Sequence, residues 1–157
     1  MTKPFDICEA DLDRADIQSL IALHMSGMHA NSPPENVCGL DLSGLRIPEI
    51  TMFSARKHSD LAAIGALKSV SDIQGEIKSM RVHPGFARQG AGQAILEHII
   101  QSASDRGYSK LSLETGSGAA FNAAINLYVK YGFKQGDPFG DYPVSEFNRF
   151  YHLDLTA

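Results

Sequence analysis

Along the chain the spacing of apolar residues changes period several times, and each change marks an element. Residues 5–8 alternate apolar with polar, the two-residue period of a short strand. Ile17, Leu20, Ile21, Met25 and Met28 then recur at helical spacing, which predicts a helix with Asp11 or Asp13 as its N-cap. That helix stops at Asn31-Ser32-Pro33-Pro34, because proline lacks an amide donor and holds its predecessor extended. A long loop follows, with a helical turn around residues 40–45, closed at Pro48. From Ile50 the strand period returns: residues 50–55 and 61–70 form a hairpin around His58-Ser59-Asp60, and residues 75–82 form a further strand.

A second helix carries Ala91, Ile95, Ile99 and Ala103, flanked by Gly92, Leu96 and Ile100, as one broad apolar stripe ending at Arg106-Gly107. Residues 110–115 read as a strand, 121–131 as another amphipathic helix with Gly132 as its terminator. Two last strands are predicted, 133–135 extended toward Phe139, and 147–155. The whole, residues 1–157, is one mixed α/β domain without internal linker or repeat.

Composition narrows the partners. The chain has 157 residues, 43% of them hydrophobic and 20% charged, in the range of globular proteins. Fourteen Lys+Arg against 18 Asp+Glu leave a net charge of −4, which argues against nucleic acid as a partner, since phosphate neutralisation needs a dense basic face. No apolar run approaches the ~20 residues that span a bilayer, so no membrane is expected. The N-terminal stretch lacks an apolar signal core and turns acidic at once, which predicts a cytoplasmic protein. Cys8 and Cys38 stand 30 residues apart, outside metal or disulfide spacings, and are expected as two reduced, buried thiols.

Most of the chemistry is carried by Met80-Arg81-Val82-His83-Pro84-Gly85-Phe86-Ala87-Arg88-Gln89-Gly90-Ala91-Gly92-Gln93. Here a strand ends, the chain turns, and a helix opens within a glycine-rich loop. The first helical turn offers amides without helical partners and the positive end of the dipole, so it suits an anion. Gly90 and Gly92 let phosphate oxygens approach the backbone, and Arg88 adds a guanidinium fork. The dinucleotide motif G-x-G-x-x-G is broken by Ile95, and the Gly-Lys-Ser/Thr of a P-loop is absent.

Val82-His83-Pro84, Arg88-Gln89-Gly90-Ala91-Gly92, Ala124-Ile125-Asn126-Leu127-Tyr128 and Tyr131-Gly132-Phe133 occur in this order, and with them the sequence resembles the GNAT N-acetyltransferase superfamily. Ser32-Pro33-Pro34-Glu35, Gly65-Ala66-Leu67-Lys68, Gly75-Glu76-Ile77-Lys78-Ser79-Met80, Ser112-Leu113-Glu114-Thr115-Gly116 and Pro138-Phe139-Gly140-Asp141-Tyr142 are similar to a bacterial branch of it with poorly defined substrate. The resemblance covers nearly the whole chain. It implies the GNAT fold: a mixed α+β domain with a mostly antiparallel sheet of six to seven strands, splayed between two parallel central strands, and helices on both faces.

The same resemblance implies acetyl-CoA as the acetyl donor, with no metal. Its pyrophosphate loop maps to Ala87 through Gln93, and its pantetheine arm to the strand carrying Met80, Arg81 and Val82. The family's acid maps to Tyr128. This chain departs from the pattern at Ala87, where Arg or Gln is usual, and at Phe121, where Asn is usual; Asn122 is adjacent but about 100° around the helix.

A lysine-like amine has a pKa of ~10.4, so about one molecule in a thousand is nucleophilic at pH 7. A carboxylate, directly or through water, assists by taking the proton. Glu76, on the strand expected to border the acetyl group, is the first choice of base, and Glu114 on the neighbouring strand is the second. Pairing of Glu76 with Lys78 is its structural alternative. The Val82 amide is the candidate donor to the developing oxyanion. His29, Ser32, Glu35 and Glu114 are candidate acceptor contacts, either His24 or His29 of the first helix can line the acceptor pocket, and Met25 and Met28 are expected in the core. The expected activity is acetyl transfer to a primary amine of a small molecule by direct attack. The alternatives are acetylation of a protein lysine or N-terminus, and a non-catalytic acyl-CoA sensor. A homodimer paired through the C-terminal strands is compatible with the sequence.

Overall fold

The computed structural model describes residues 4–34 and 40–156. Seven strands form one sheet: β1 (Asp6–Glu9), β2 (Ile50–Lys57), β3 (Asp60–Ser69), β4 (Gln74–Val82), β5 (Lys110–Thr115), β6 (Lys134–Gln135) and β7 (Arg149–Asp154), in the order β1-β2-β3-β4-β5-β7-β6. Every neighbouring pair is antiparallel except β4 and β5, which run parallel. The helices are α1 (Ala15–Asn31), the single turn α2 (Leu42–Leu45), α3 (Ala91–Asp105) and α4 (Asn122–Lys130). Among the described residues no helix is long and apolar enough to cross a membrane.

Local chemistry explains most boundaries. The β2–β3 hairpin turns on His58 and Ser59, both at positive φ (52° and 75°). Two left-handed residues in a row give the turn whose twist matches that of the strands, so Asp60 already belongs to β3. The apolar stripe of α3 packs on one face of the sheet, with Ile95, Leu96 and Ile99 against Ala63, Leu67, Ile77 and Leu113. On the other face Ile17, Leu20 and Ile21 of α1 pack with Leu45, Met52, Ile64 and Ala66. Gly65 of β3 lets α3 lie close: a Cβ there would stand 2.5 Å from both Ile95 Cγ2 and Met80 Sδ.

Several expectations need correction. The N-cap of α1 is Arg14, without a side-chain cap, and not Asp11 or Asp13. Asp11 is engaged earlier, its carboxylate accepting from the Asp13 amide (2.9 Å) and its carbonyl from the Arg14 amide (3.1 Å). β6 is two residues long and does not run toward Phe139, because the ladder ends at Gly136, bonded to the Phe150 carbonyl, and Pro138 has no amide to continue it. β7 starts at Arg149 rather than 147, since Ser145 and Asn148 bond to each other in a local turn. Cys8 is exposed rather than buried, on the outermost strand. Cys38 lies outside the described residues.

Candidate active site

β4 and β5 pair only at Gln74↔Lys110, Gly75↔Leu111 and Glu76↔Ser112. Beyond Glu76 the ladder between them ends and a gap opens in the middle of the sheet. A β-bulge shapes its β4 edge: the β3–β4 register shifts between Ile64 and Ala66, so that Ser79 and Met80 together oppose Gly65. Ser79 adopts φ 56° there. The bonds Val70 N to Gln74 O and His83 N to Ala62 O fix which β3–β4 pairs are hydrogen-bonded. By the alternation of an antiparallel ladder, Ile77 and Val82 therefore turn their N–H and C=O away from β3 and into the gap. The β4 edge thus offers backbone partners to an extended ligand.

At one end of the gap α3 begins. Gly90 is its N-cap at φ 86°, and the first intrahelical bond is Ala94 N to Gly90 O at 3.0 Å, which leaves the amides of Ala91, Gly92 and Gln93 without helical partners. A Cβ at Gly90 would meet nothing within 4 Å. These residues open onto a cavity of about 580 Å³, which Met80, Arg81, Val82 and Arg88 also line. Ala87 and Gln89 are exposed on the loop and do not line it; Gln89 reaches back to the Gly85 carbonyl at 3.4 Å. Asn122 is exposed at the start of α4 and also stands off the cavity, whereas Phe121 lines it. The residues fit a diphosphate carried by an extended chain: glycine-lined amides at a helix start, an arginine beside them, and a strand edge leading inward.

Tyr128 of α4 is buried on the cavity wall, its ring edge against Phe133 at 5.7 Å between centroids. Burial raises the pKa of its hydroxyl, which stays protonated at neutral pH. Glu76, also on the wall, is buried with its Oε2 3.4 Å from Lys78 Nζ. The Tyr142 hydroxyl accepts from Lys78 and donates to Glu76, and Lys78 Nζ sits 4.8 Å from the Tyr142 ring centroid. Glu114 lines the cavity too and accepts from Asn148 Nδ2 at 2.6 Å. Burial raises the pKa of Glu114, and the charge of Glu76 adds to this; the Asn148 bond and the charge of Lys78 oppose it. Glu76 is therefore both a cavity group and paired to Lys78. Tyr142 lies in one of the stretches similar to the bacterial branch but with no role attached, and Asn148 had no signal in the sequence: they are 66 and 34 residues from the carboxylates they hold.

The acceptor contacts expected from the sequence divide. His29 is exposed and Ser32 is half-buried, and neither lines the cavity. Glu35 lies outside the described residues. His24 lines it instead, as does Met28, which was expected in the core. The side chain of Arg81 turns toward α1, where its Nε donates to His24 Nδ1 at 3.1 Å. Burial, and then the charge of Arg81, pull the His24 pKa down to about 4, so the imidazole is a neutral acceptor.

The two sequence hallmarks, the loop around Arg88 to Gly92 and the Leu127-Tyr128 pair, meet in this one cavity. Residues 19–133 match the family model described as the acetyltransferase (GNAT) family. The chain belongs to that family. YedL of Escherichia coli (strain K12), an uncharacterized N-acetyltransferase, is 46% identical over 151 residues, 96% of this chain and 95% of its own length. YsnE of Bacillus subtilis (strain 168), named likewise, is 46% identical over 132 residues, 84% and 87% of the two chains. A solved GNAT family acetyltransferase from Elizabethkingia anophelis with acetyl-CoA bound shares the fold at TM-score 0.71 and 20% identity, over 98% of this chain and 99% of that one. The GNAT fold expected from the sequence, with its sheet opening between two parallel strands, is the observed one.

Proposed function

We propose that this GNAT N-acetyltransferase uses acetyl-CoA and moves the acetyl group directly to a primary amine of a small molecule. The carrying observation is one continuous cavity lined both by the start of α3 and by buried Glu76, Glu114 and Tyr128. The amides of Ala91, Gly92 and Gln93, with Arg88 beside them, hold the diphosphate. The inward-turned backbone of Ile77 and Val82 and the bulge at Met80 align the arm. When bound, acetyl-CoA supplies an activated acyl carbon. Glu76 takes the proton of the amine, directly or through water, with Glu114 as the second carboxylate of the cavity. The Val82 amide donates to the carbonyl oxygen as charge gathers on it. The nitrogen–carbon bond forms as the carbon–sulfur bond breaks, and Tyr128, kept protonated by burial, hands its proton to the departing sulfur. No covalent bond to the enzyme is needed.

Thiol release from acetyl-CoA over a panel of amines tests this, read beside calorimetric binding. Tyr128→Phe is expected to lower kcat by about 10²-fold or more while leaving the acetyl-CoA Kd in place. A Tyr128→Phe variant with full turnover overturns the acid role. Saturable acetyl-CoA binding without transfer to any amine identifies a sensor instead.

A further inference from the structure

We infer that the acceptor of this enzyme carries a carboxylate as well as its amine, and that Arg81 receives that carboxylate. The class is amino acids and other short amino-carboxylates. The inference rests on the acetyl-transfer reading and names the acceptor of the same site.

Cross-strand partners share a face of a sheet, and Glu76, Lys78 and Arg81 of β4 oppose Lys68, Ala66 and Ile64 of β3. Ile64 and Ala66 pack toward α1, so Arg81 stands on the same face as Glu76 and Lys78. Their charges are not in the same state. Glu76 has Lys78 and Tyr142; Glu114 has Asn148 and the nearby charge of Lys78. Arg81 is half-buried, lines the cavity, and among the described residues makes no ion pair. Its polar contacts are the neutral His24 ring and, from Nη2 at 3.5 Å, the His24 carbonyl. A guanidinium partly withdrawn from water gains from a counterion, and burial already works against the charge of Arg81.

Among the described residues, its surroundings hold this charge in place and supply no carboxylate against it. His24 takes the Nε edge and fixes the plane of the guanidinium. Gly27 of α1 makes room for it, since a Cβ there would stand 2.8 Å from Arg81 Nη2. Nη1 has no hydrogen-bond partner among the described residues. An oriented fork whose Nη1 donors find no partner among the described residues, on a cavity that Glu76 and Glu114 also line, matches a ligand with an anionic end and an amine end.

The experiment uses matched probes: phenylalanine with phenethylamine, lysine with cadaverine, and glutamate with γ-aminobutyrate, which loses one carboxylate and keeps the other. Affinity for the CoA-saturated protein is measured by calorimetry and acetyl transfer by thiol release. In at least one pair the member with the additional carboxylate is expected to bind about 10- to 100-fold more tightly, the usual strength of a charge-assisted hydrogen bond. Arg81→Met is expected to collapse that ratio toward one, and Arg81→Lys, which keeps the charge and loses the fork, to leave an intermediate ratio. Absence of a carboxylate preference in the wild-type protein overturns the proposal, as does an equal loss for both members of a pair in Arg81→Met. Transfer to amines without the preference leaves the activity standing and removes the role of Arg81; an Arg81-dependent preference without transfer does the reverse.

Discussion

His24 is a titratable side chain held neutral by its position, and this makes stability depend on pH. Its pKa falls from 6.5 to about 4 on folding, so between these values the unfolded chain binds more protons than the native one. Stability therefore rises with pH across that window, is fully present above about pH 6.5, and is lost as pH falls toward 4. The gap corresponds to about 3 kcal/mol. His24→Gln, which keeps an acceptor for Arg81, is expected to flatten the slope in urea unfolding measured at pH 4.5 and pH 7. Sequence alone could not pair these residues: His24 and Arg81 are 57 positions apart on different elements. That Tyr128 and the Arg88 to Gly92 loop share a cavity was legible from the order of the family pattern, and that Glu76 joins them from its place on the strand before Val82. α1 turns His29 outward, away from the cavity, while His24, in register with Ile17, Leu20 and Ile21, faces the sheet.

The elements depend on two glycines in different ways. Gly65→Ala would push a methyl group to 2.5 Å from Ile95 and Met80, prying α3 from β3. Overpacking of this kind costs about 1–3 kcal/mol, to be read from denaturant midpoints. Gly90→Ala meets nothing sterically but must hold φ 86°, so roughly 1 kcal/mol of strain is expected, together with a several-fold weaker acetyl-CoA Kd. Loss of stability without loss of affinity in Gly90→Ala would show that this cap does not shape the diphosphate loop. Element types followed from period changes, which is why the hairpin and α3 were legible. The bulge was not, since Ser79 carries no turn signal, and the Asp11 turn imitates a cap that α1 does not use.

At the scale of the whole molecule, binding and folding are linked. Acetyl-CoA at 100 times its Kd is expected to add about 2.7 kcal/mol to the unfolding free energy, a Tm rise of roughly 5–10 °C in calorimetry. The mixed α/β architecture could be read from the alternation of periods, whereas the place where the sheet parts followed only from the family resemblance, because it depends on the relative course of two strands far apart in the chain. That parting has a mechanical consequence. Among the described residues, three ladder pairs, with the Ser109 and Lys110 amides on the Ile73 carbonyl just before them, are the backbone contact between β4 and β5 where the two halves of the sheet meet. On the binding mode proposed above, a donor lying along Ile77 and Val82 would splint this seam, bracing the two halves while it is bound and releasing them when it leaves. Hydrogen exchange at the Ile77 and Val82 amides should accordingly slow on loading and recover when spent carrier departs.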